Sequence, residues 1–353
     1  MPFSLLGLFN SITPIIQSFS VYLQNLHNLF VMKRFVFTIS LLLAGVFVSC
    51  QKDVLKPVGD VCSVMDDDVF KEYCLKSFDS DGDGVLSMEE AAQVKYMMIN
   101  TFGQKITSLK GSEYFSHLTD LACEGNRIAN LDVTKNGQLT TLSCGSNQLT
   151  SLDLSKCPKL EYLNCENNGI TSLDFSHCPE LSTLLCGKNK LSSLDVSANA
   201  LLESLYCEEN DISSLDLSKN PKLEFLICDS NSLSSLDVSA LTELAYLECD
   251  SNNLTSLDIT KNLKLKHLYF NSNNLTSLDV SKNVDLKYCK GQRNKLTSLD
   301  FSNNPELLEI YCPYNNLTTL DVTKNTKLNF CICNPQLGGT ITVIGWNGKT
   351  TSF

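Results

Sequence analysis

From Leu118 to Lys327 the chain repeats a 21-residue unit ten times without a gap. The unit reads L-x-x-L-x-C-x-x-N-x-L-x-x-L-D-x-S/T-x-x-x-x, as in LTTLSCGSNQLTSLDLSKCPK from Leu139 to Lys159. A unit this short cannot bury its own leucines, so the copies must stack on one another into a solenoid. An extended array of that kind is a surface for holding something.

Positions 1, 4, 6, 11, 14 and 16 of the unit are apolar in nearly every copy. Positions 4 and 6 follow the strand period, so each coil should add one strand to a parallel sheet, with residues 3 and 5 pointing the other way. Positions 14 and 16 repeat the alternation and offer a second extended segment on the opposite face. Ser, Asn, Asp and Pro crowd the second half of the unit and leave no room for a long helix. At about 4.8 Å per coil, ten coils extend roughly 50 Å.

Position 9 is asparagine in all ten copies, from Asn126 to Asn315. Its amide is expected to satisfy backbone groups of its own turn and of the next coil. Position 15 is aspartate throughout, from Asp132 to Asp321, and position 17 is always Ser or Thr. A D-x-S/T turn, with the carboxylate accepting from backbone amides, explains how stacked like charges are tolerated. A calcium ladder is the alternative for this column, but the glycine-rich partners that such rolls use are missing.

This pattern resembles leucine-rich repeats, in a short Cys- and Asp-bearing form similar to internalins and to surface lipoproteins of Bacteroidetes. The resemblance covers about 210 residues at uniform spacing. It implies a β-rich repeat solenoid with one parallel sheet and short turns instead of helices, and by analogy of fold a protein-binding role.

The chain has 16 cysteines, and eight of them occupy position 6: Cys123, Cys144, Cys165, Cys186, Cys207, Cys228, Cys249 and Cys312. Cys333 continues the series into a partial last coil, while Phe270 and Gly291 interrupt it. That position faces the core, where a free cysteine acts as a small hydrophobe. Bridging stacked neighbours would strain a regular sheet, so thiols are expected. Cys157 and Cys178 occupy position 19 of adjacent coils, read as exposed turns, and are left open as a pair; so are Cys62 and Cys74.

Ahead of the array, Met32-Lys33-Arg34 precedes an apolar run from Phe35 to Val48 that ends in Ser49-Cys50. This has the layout of a secretion signal, and the cysteine resembles the lipobox of bacterial lipoproteins, which implies diacylation at Cys50. A transmembrane anchor, or an ordinary signal with an incidental cysteine, is the alternative. Met32 is the expected start, with residues 1–31 an upstream extension; a longer membrane segment is again the alternative. Gln51-Lys52-Asp53 resembles the charged tether that directs some such lipoproteins to the outer leaflet, which implies an outer-membrane, cell-surface location. Loss of Lys33 and Arg34 would take the net charge from −11 to −13. So acidic a chain disfavours nucleic acid as a partner, and membrane contact falls to the lipid at Cys50.

Residues 79–90 (DSDGDGVLSMEE) match the twelve-residue EF-hand loop. Asp79, Asp81 and Asp83 supply single oxygens, Gly84 the sharp turn, Val85 a carbonyl, Ser87 a direct or water-borne ligand and Glu90 a bidentate closure. Helices are expected at 69–78 and 89–100, and Ca2+ is the implied ion, stiffening the N-terminal segment. The domains then read as residues 32–49 signal, 50–64 lipidated tether, 65–100 EF-hand-like segment and 101–117 N-terminal cap. Repeats follow over 118–338, and a C-terminal cap over 339–353 carries a small hairpin around Asn347-Gly348.

The outward positions 3 and 5 are bland in early coils and aromatic later: Tyr162, Tyr206, Phe225, Tyr246, His267, Tyr269, Tyr288 and Tyr311, with Glu248 and Lys290 among them. An exposed aromatic run of this kind marks a partner surface, with ordinary cross-strand packing that stabilises the sheet as the alternative. Glu203, Glu208, Glu209, Glu224, Asp229, Glu248 and Asp250 surround it with negative charge, which favours a partner of basic character. Lys287, Lys290 and Arg293 form one basic spot. A protein ligand is the first expectation, a glycan the second and a passive scaffold the third. No nucleophile elbow, H-E-x-x-H or phosphate loop appears, and no enzyme is expected.

Overall fold

A computed structural model describes residues 59–99 and 103–346. The signal-like segment, Cys50 and the Asn347-Gly348 turn lie outside the described residues. Strand β1 (Tyr96–Met98) comes first, followed by ten strands from β2 (Asp120–Ala122) to β11 (Glu309–Tyr311), one per repeat. Then come β12 (Thr319–Asp321), β13 (Phe330–Ile332) and β14 (Thr342–Ile344). The main sheet has 12 parallel strands in the order β1 to β11, then β13. Register is constant from coil to coil, Leu142 facing Leu163 and Leu163 facing Leu184, so like positions stack in columns. The inward positions are buried except Leu173 and Leu278, which are half-buried; in the fifth coil Leu202, Leu205 and Cys207 are 0% exposed and Ile212 and Leu217 1%. Each buried leucine contributes about 1.5–3 kcal/mol.

Two amide ladders satisfy the turns. At position 9, Asn189 Nδ2 donates to the carbonyls of Cys165 (3.0 Å), Cys186 (3.1 Å) and Gly187 (3.1 Å), while its Oδ1 accepts from Ile170 N at 3.0 Å. The second ladder, at position 19, lacks the unbroken period of the first. Asn136, Asn199, Asn220, Asn262, Asn283, Asn304 and Asn325 are buried there, and Asn220 Nδ2 reaches the carbonyls of Val196 and Asn199, both at 2.9 Å. Cys157 and Cys178 stand in the same column. They are fully buried free thiols, not residues of exposed turns, and they aim Sγ at the Val133 and Leu154 carbonyls. The turn folds position 19 inward, so a small polarisable group substitutes for the amide. Cys62 and Cys74 are likewise buried and free.

The D-x-S/T turn takes the expected form: Asp195 Oδ1 accepts from Ser197 N at 2.9 Å, and Asp258 accepts from both Thr260 N and Oγ1. These bonds hold the aspartates of the column below the usual carboxylate range. Among the described residues the second extended segment pairs once, where β12 meets β14 in parallel. The hairpin expected around Asn347-Gly348 lies outside the described residues.

Position 8 is left-handed in every full repeat: Gly125 has φ 67°, and Ser146, Asn167, Lys188, Glu209, Ser230, Ser251, Ser272, Arg293 and Tyr314 lie between 51° and 56°. The turn requires it because the position-8 amide must reach the next coil, as Ser230 N does to Asp250 O at 2.8 Å. A Cβ in that conformation costs about 1–2 kcal/mol, and glycine avoids it. Ser230→Gly and Ser251→Gly together should therefore raise the unfolding free energy by about 1 kcal/mol in denaturant titration; a loss would contradict the strained-turn reading.

Both ends extend the repeat beyond its consensus. The exit helix expected over 89–100 stops early: α2 (Met88–Gln93) is followed by β1, which pairs with β2 through Tyr96–Asp120, Met97–Leu121 and Met98–Ala122. Met97 is 0% exposed, and pairing satisfies backbone that a helix would have left over the open sheet edge. Ile106 N then donates to Asn126 Oδ1, and Asn136 Nδ2 donates to Ser112 and Phe115 carbonyls, the first a bond that recurs along the array and the second one that recurs wherever position 19 is asparagine. Residues 94–99 and 103–117 thus continue the coil pattern without the signature residues, where a separate cap was expected over 101–117. Helix α1 (Asp68–Phe78) is capped by Asp67, which accepts from Phe70 N and also from Thr107 N and Oγ1, tying the helix to that coil. At the far end Gln336 takes the position-9 role, its Oε1 accepting from Asn315 N and Leu317 N.

Candidate functional site

The outward face of the sheet carries two parallel columns. At position 3, Phe225, Tyr246, His267 and Tyr288 stack ring on ring, with centroids 6.1, 5.2 and 4.6 Å apart. Strand spacing dictates this, since neighbouring rings one coil apart fall within offset-stacking distance. At position 5, Tyr269 sits edge-on to Tyr246 at 5.5 Å, and Lys290 Nζ lies 5.0 Å over the Tyr269 ring. Lys290 also approaches Glu309 at 3.8 Å.

The rings are less exposed than their direction suggests. Tyr162, Tyr246 and Tyr269 are buried at 8%, 6% and 2%, whereas Phe225 keeps 39% of its surface. Tyr206, His267, Tyr288 and Tyr311 are half-buried. Stacking on the sheet shields each ring with its neighbours, so the exposed aromatic run expected from sequence is a packed column with one open end at Phe225. Burial, helped by Lys287, Lys290 and Lys266, pushes His267 down to about 4, so the imidazole in the stack is neutral.

On the coil of Phe225 and its two neighbours lie four half-buried carboxylates: Glu208, Asp229 and Asp250 at position 7, and Glu248 at position 5. Burial and mutual repulsion push all four up to about 7. Glu248 accepts from Tyr246 Oη at 2.8 Å. Asp250 accepts from Asn271 N and Nδ2, both at 2.6 Å. In contrast, Glu208 Oε2 and Asp229 Oδ1 are buried and meet no donor among the described residues. Lys188, which faces them across the coils, is bonded to Glu166 at 2.7 Å. The other acids of the expected rim, Glu203, Glu209 and Glu224, are exposed, and the charge of Glu209 adds to the repulsion on Asp229.

The acidic loop is a separate site. Carboxylate oxygens of Asp79, Asp81 and Asp83 lie within 4.8 Å of one another. Asp79 accepts from Gly82 N at 2.7 Å and Gly84 N at 2.9 Å, and both glycines are left-handed, with φ 73° and 82°. Ser87 caps α2 in a capping box with Glu90, and Leu86 is fully buried behind the loop. Glu90 is not gathered with the three aspartates. It accepts from Ser80 N, Ser80 Oγ and Ser87 N, bonds that hold it at about 2 against the opposing effect of burial. The donors are hard oxygens at loop spacing, which fits Ca2+ once Glu90 turns inward.

A family model for leucine-rich repeats in two copies matches residues 138–177 and 158–201. The functional domain of InlJ from Listeria monocytogenes, described as including a cysteine ladder, is 32% identical over 80% of this chain and 73% of its own, with a TM-score of 0.56. The chain belongs to the leucine-rich-repeat family. This leucine-rich-repeat chain is also similar in fold to an internalin (inlF) of the same bacterium, at 19% identity, a TM-score of 0.65, and 86% and 100% coverage. A third similar structure is the plant peptide hormone receptor RGFR1 in complex with RGF2, at 20% identity, a TM-score of 0.57, and 64% and 40% coverage. No curated protein matches the sequence.

Proposed function

We propose that this leucine-rich-repeat protein is a non-enzymatic cell-surface lipoprotein, anchored through Cys50, that binds a protein partner on the outward face of its sheet. The supporting observation is the carboxylate group on the face of the middle coils: two buried oxygens, on Glu208 and Asp229, lack any donor among the described residues. A guanidinium or ammonium from the partner would supply those bonds, and charge-assisted bonds of this kind are the strong ones. Phe225, exposed on the same coil as Asp229, offers an apolar contact nearby on the array. Packing of Tyr246 and Tyr269 against their neighbours weighs against a glycan-stacking platform, which needs open ring faces. The solved relative RGFR1 is described in complex with RGF2.

The purified protein, arrayed against arginine-rich peptides, surface proteins and oligosaccharides, tests this reading. Binding of basic peptides or proteins should fall at least tenfold in the Glu208→Gln/Asp229→Asn variant. Binding of oligosaccharides alone would move the chain to glycan capture, and silence across the array would make it a scaffold. Surface anchoring predicts that a labelled fatty acid enters the protein and is lost in Cys50→Ala.

Calcium in the Asp79–Glu90 loop would be structural, fixing α1 and α2 against the first coil. At about a hundredfold excess over its Kd, calcium should stabilise the folded chain by roughly 2.7 kcal/mol. The gain, read as a melting shift against chelator, should vanish in Asp81→Ala; an equal shift in that variant would remove the ion from this loop.

A further inference from the structure

The C-terminal end of the cysteine column differs from the rest. Cys312 and Cys333 occupy the same position, directly after β11 and after β13 of the partial last coil, and their Sγ atoms are 3.0 Å apart. A third thiol, Cys331, lies 3.6 Å from Cys333. The seven column cysteines from Cys123 to Cys249 are 0% exposed, whereas Cys312, Cys331 and Cys333 are 2–3% exposed.

We propose that Cys312 and Cys333 are an oxidisable pair whose disulfide fastens the last coil to the array. Adjacent paired strands hold their Cα atoms about 4.8 Å apart, inside the range a disulfide spans, but with Cβ atoms slightly too far apart for an unstrained bond. Interior coils cannot close that gap, because each is paired on both sides. Strand β13 is the edge of the main sheet, bonded only to β11, and is free to yield by a few tenths of an ångström. The last coil also departs from the repeat, with Gln336 in place of the asparagine. A covalent link there restrains a coil that has lost its neighbour.

The oxidant is a small disulfide such as oxidised glutathione. One cysteine, as thiolate, attacks it, forms a mixed disulfide and releases a glutathione thiolate. The second cysteine, after losing its proton, then attacks the protein sulfur of that mixed disulfide and expels the other glutathione. Two protein thiols thus lose two protons and two electrons, and one glutathione disulfide becomes two thiols. Bonding between the thiols, together with burial, raises Cys333 and Cys331, so the exchange is slow near neutrality.

The intact chain, equilibrated with oxidised glutathione and then alkylated in denaturant, decides the matter. Trypsin cuts at Lys324 and Lys327 between the two cysteines, so a disulfide joins two separate peptides. The expected result is a Cys312–Cys333 linked pair, with the earlier column cysteines alkylated. Reductant should lower the melting temperature of the wild type and leave that of Cys312→Ser unchanged. Complete alkylation of all cysteines, a link through Cys331 instead, or equal linkage along the whole column would each overturn the proposal.

Discussion

Lowering the pH from about 8 to about 5 is expected to stabilise the solenoid, the reverse of ordinary acid destabilisation. Glu208, Asp229, Glu248 and Asp250 are held up at about 7 by burial and by one another. A folded-state value above the unfolded one means that the folded chain holds more protons, so stability grows as pH falls from about 7 towards 4. A tenfold change in proton affinity corresponds to about 1.4 kcal/mol, but the four groups are half-buried and repel one another, so their effects do not simply add. A net gain on the order of a few kcal/mol is expected. The position-15 aspartates act in the opposite sense: their values are lowered by the D-x-S/T turn, so their contribution is present above about pH 4 and lost below it. Stability should therefore peak near pH 5. Guanidinium unfolding at three pH values tests this, and Glu208→Gln with Asp229→Asn should flatten the profile by raising stability at pH 8. A wild-type profile that is flat or rises between pH 5 and 8 would remove the buried-carboxylate account.

The second large effect is at the amide ladders. Asn210→Ala removes a side chain that donates to Cys186, Cys207 and Glu208 carbonyls and accepts from Leu191 N at 3.0 Å. Orphaned buried backbone groups cost about 1–3 kcal/mol each, so a loss on the order of 3–4 kcal/mol is expected. Asn220→Cys should cost much less, because its Oδ1 has no partner to lose and because Cys157 and Cys178 already fill that position. Equal losses in the two variants would mean that the ladders stabilise by packing alone.

Those ladders show what could be read from sequence. Asn126 to Asn315 recur without exception, so period alone placed them; the position-19 column is broken by Cys157, Cys178 and Leu241, which hides its period. Residues 94–99 and 103–117 continue the coil pattern without the asparagine or the aspartate signature, and only pairing with β2 reveals it. Gln336 replaces an asparagine with a longer amide and hides the last coil in the same way. Side-chain direction at positions 3 and 5 was legible from the strand period, and cross-strand packing could be named as an alternative, but how far each ring is shielded depends on the neighbouring coil's ring. Tyr246 points outward and is nonetheless buried between Phe225 and His267. For the same reason the acids around the face were visible as charge, while the subset that titrates near neutrality was not.

The sheet-face account is tested most directly by calorimetric binding of an arginine-rich peptide at pH 6 and pH 8. A cation paired with Glu208 and Asp229 favours their ionised forms, so binding should release protons and tighten as pH rises. The prediction is at least tenfold higher affinity at pH 8, lost in Glu208→Gln/Asp229→Asn. Binding that is independent of pH and unchanged in that variant, or no binding at all, would contradict it.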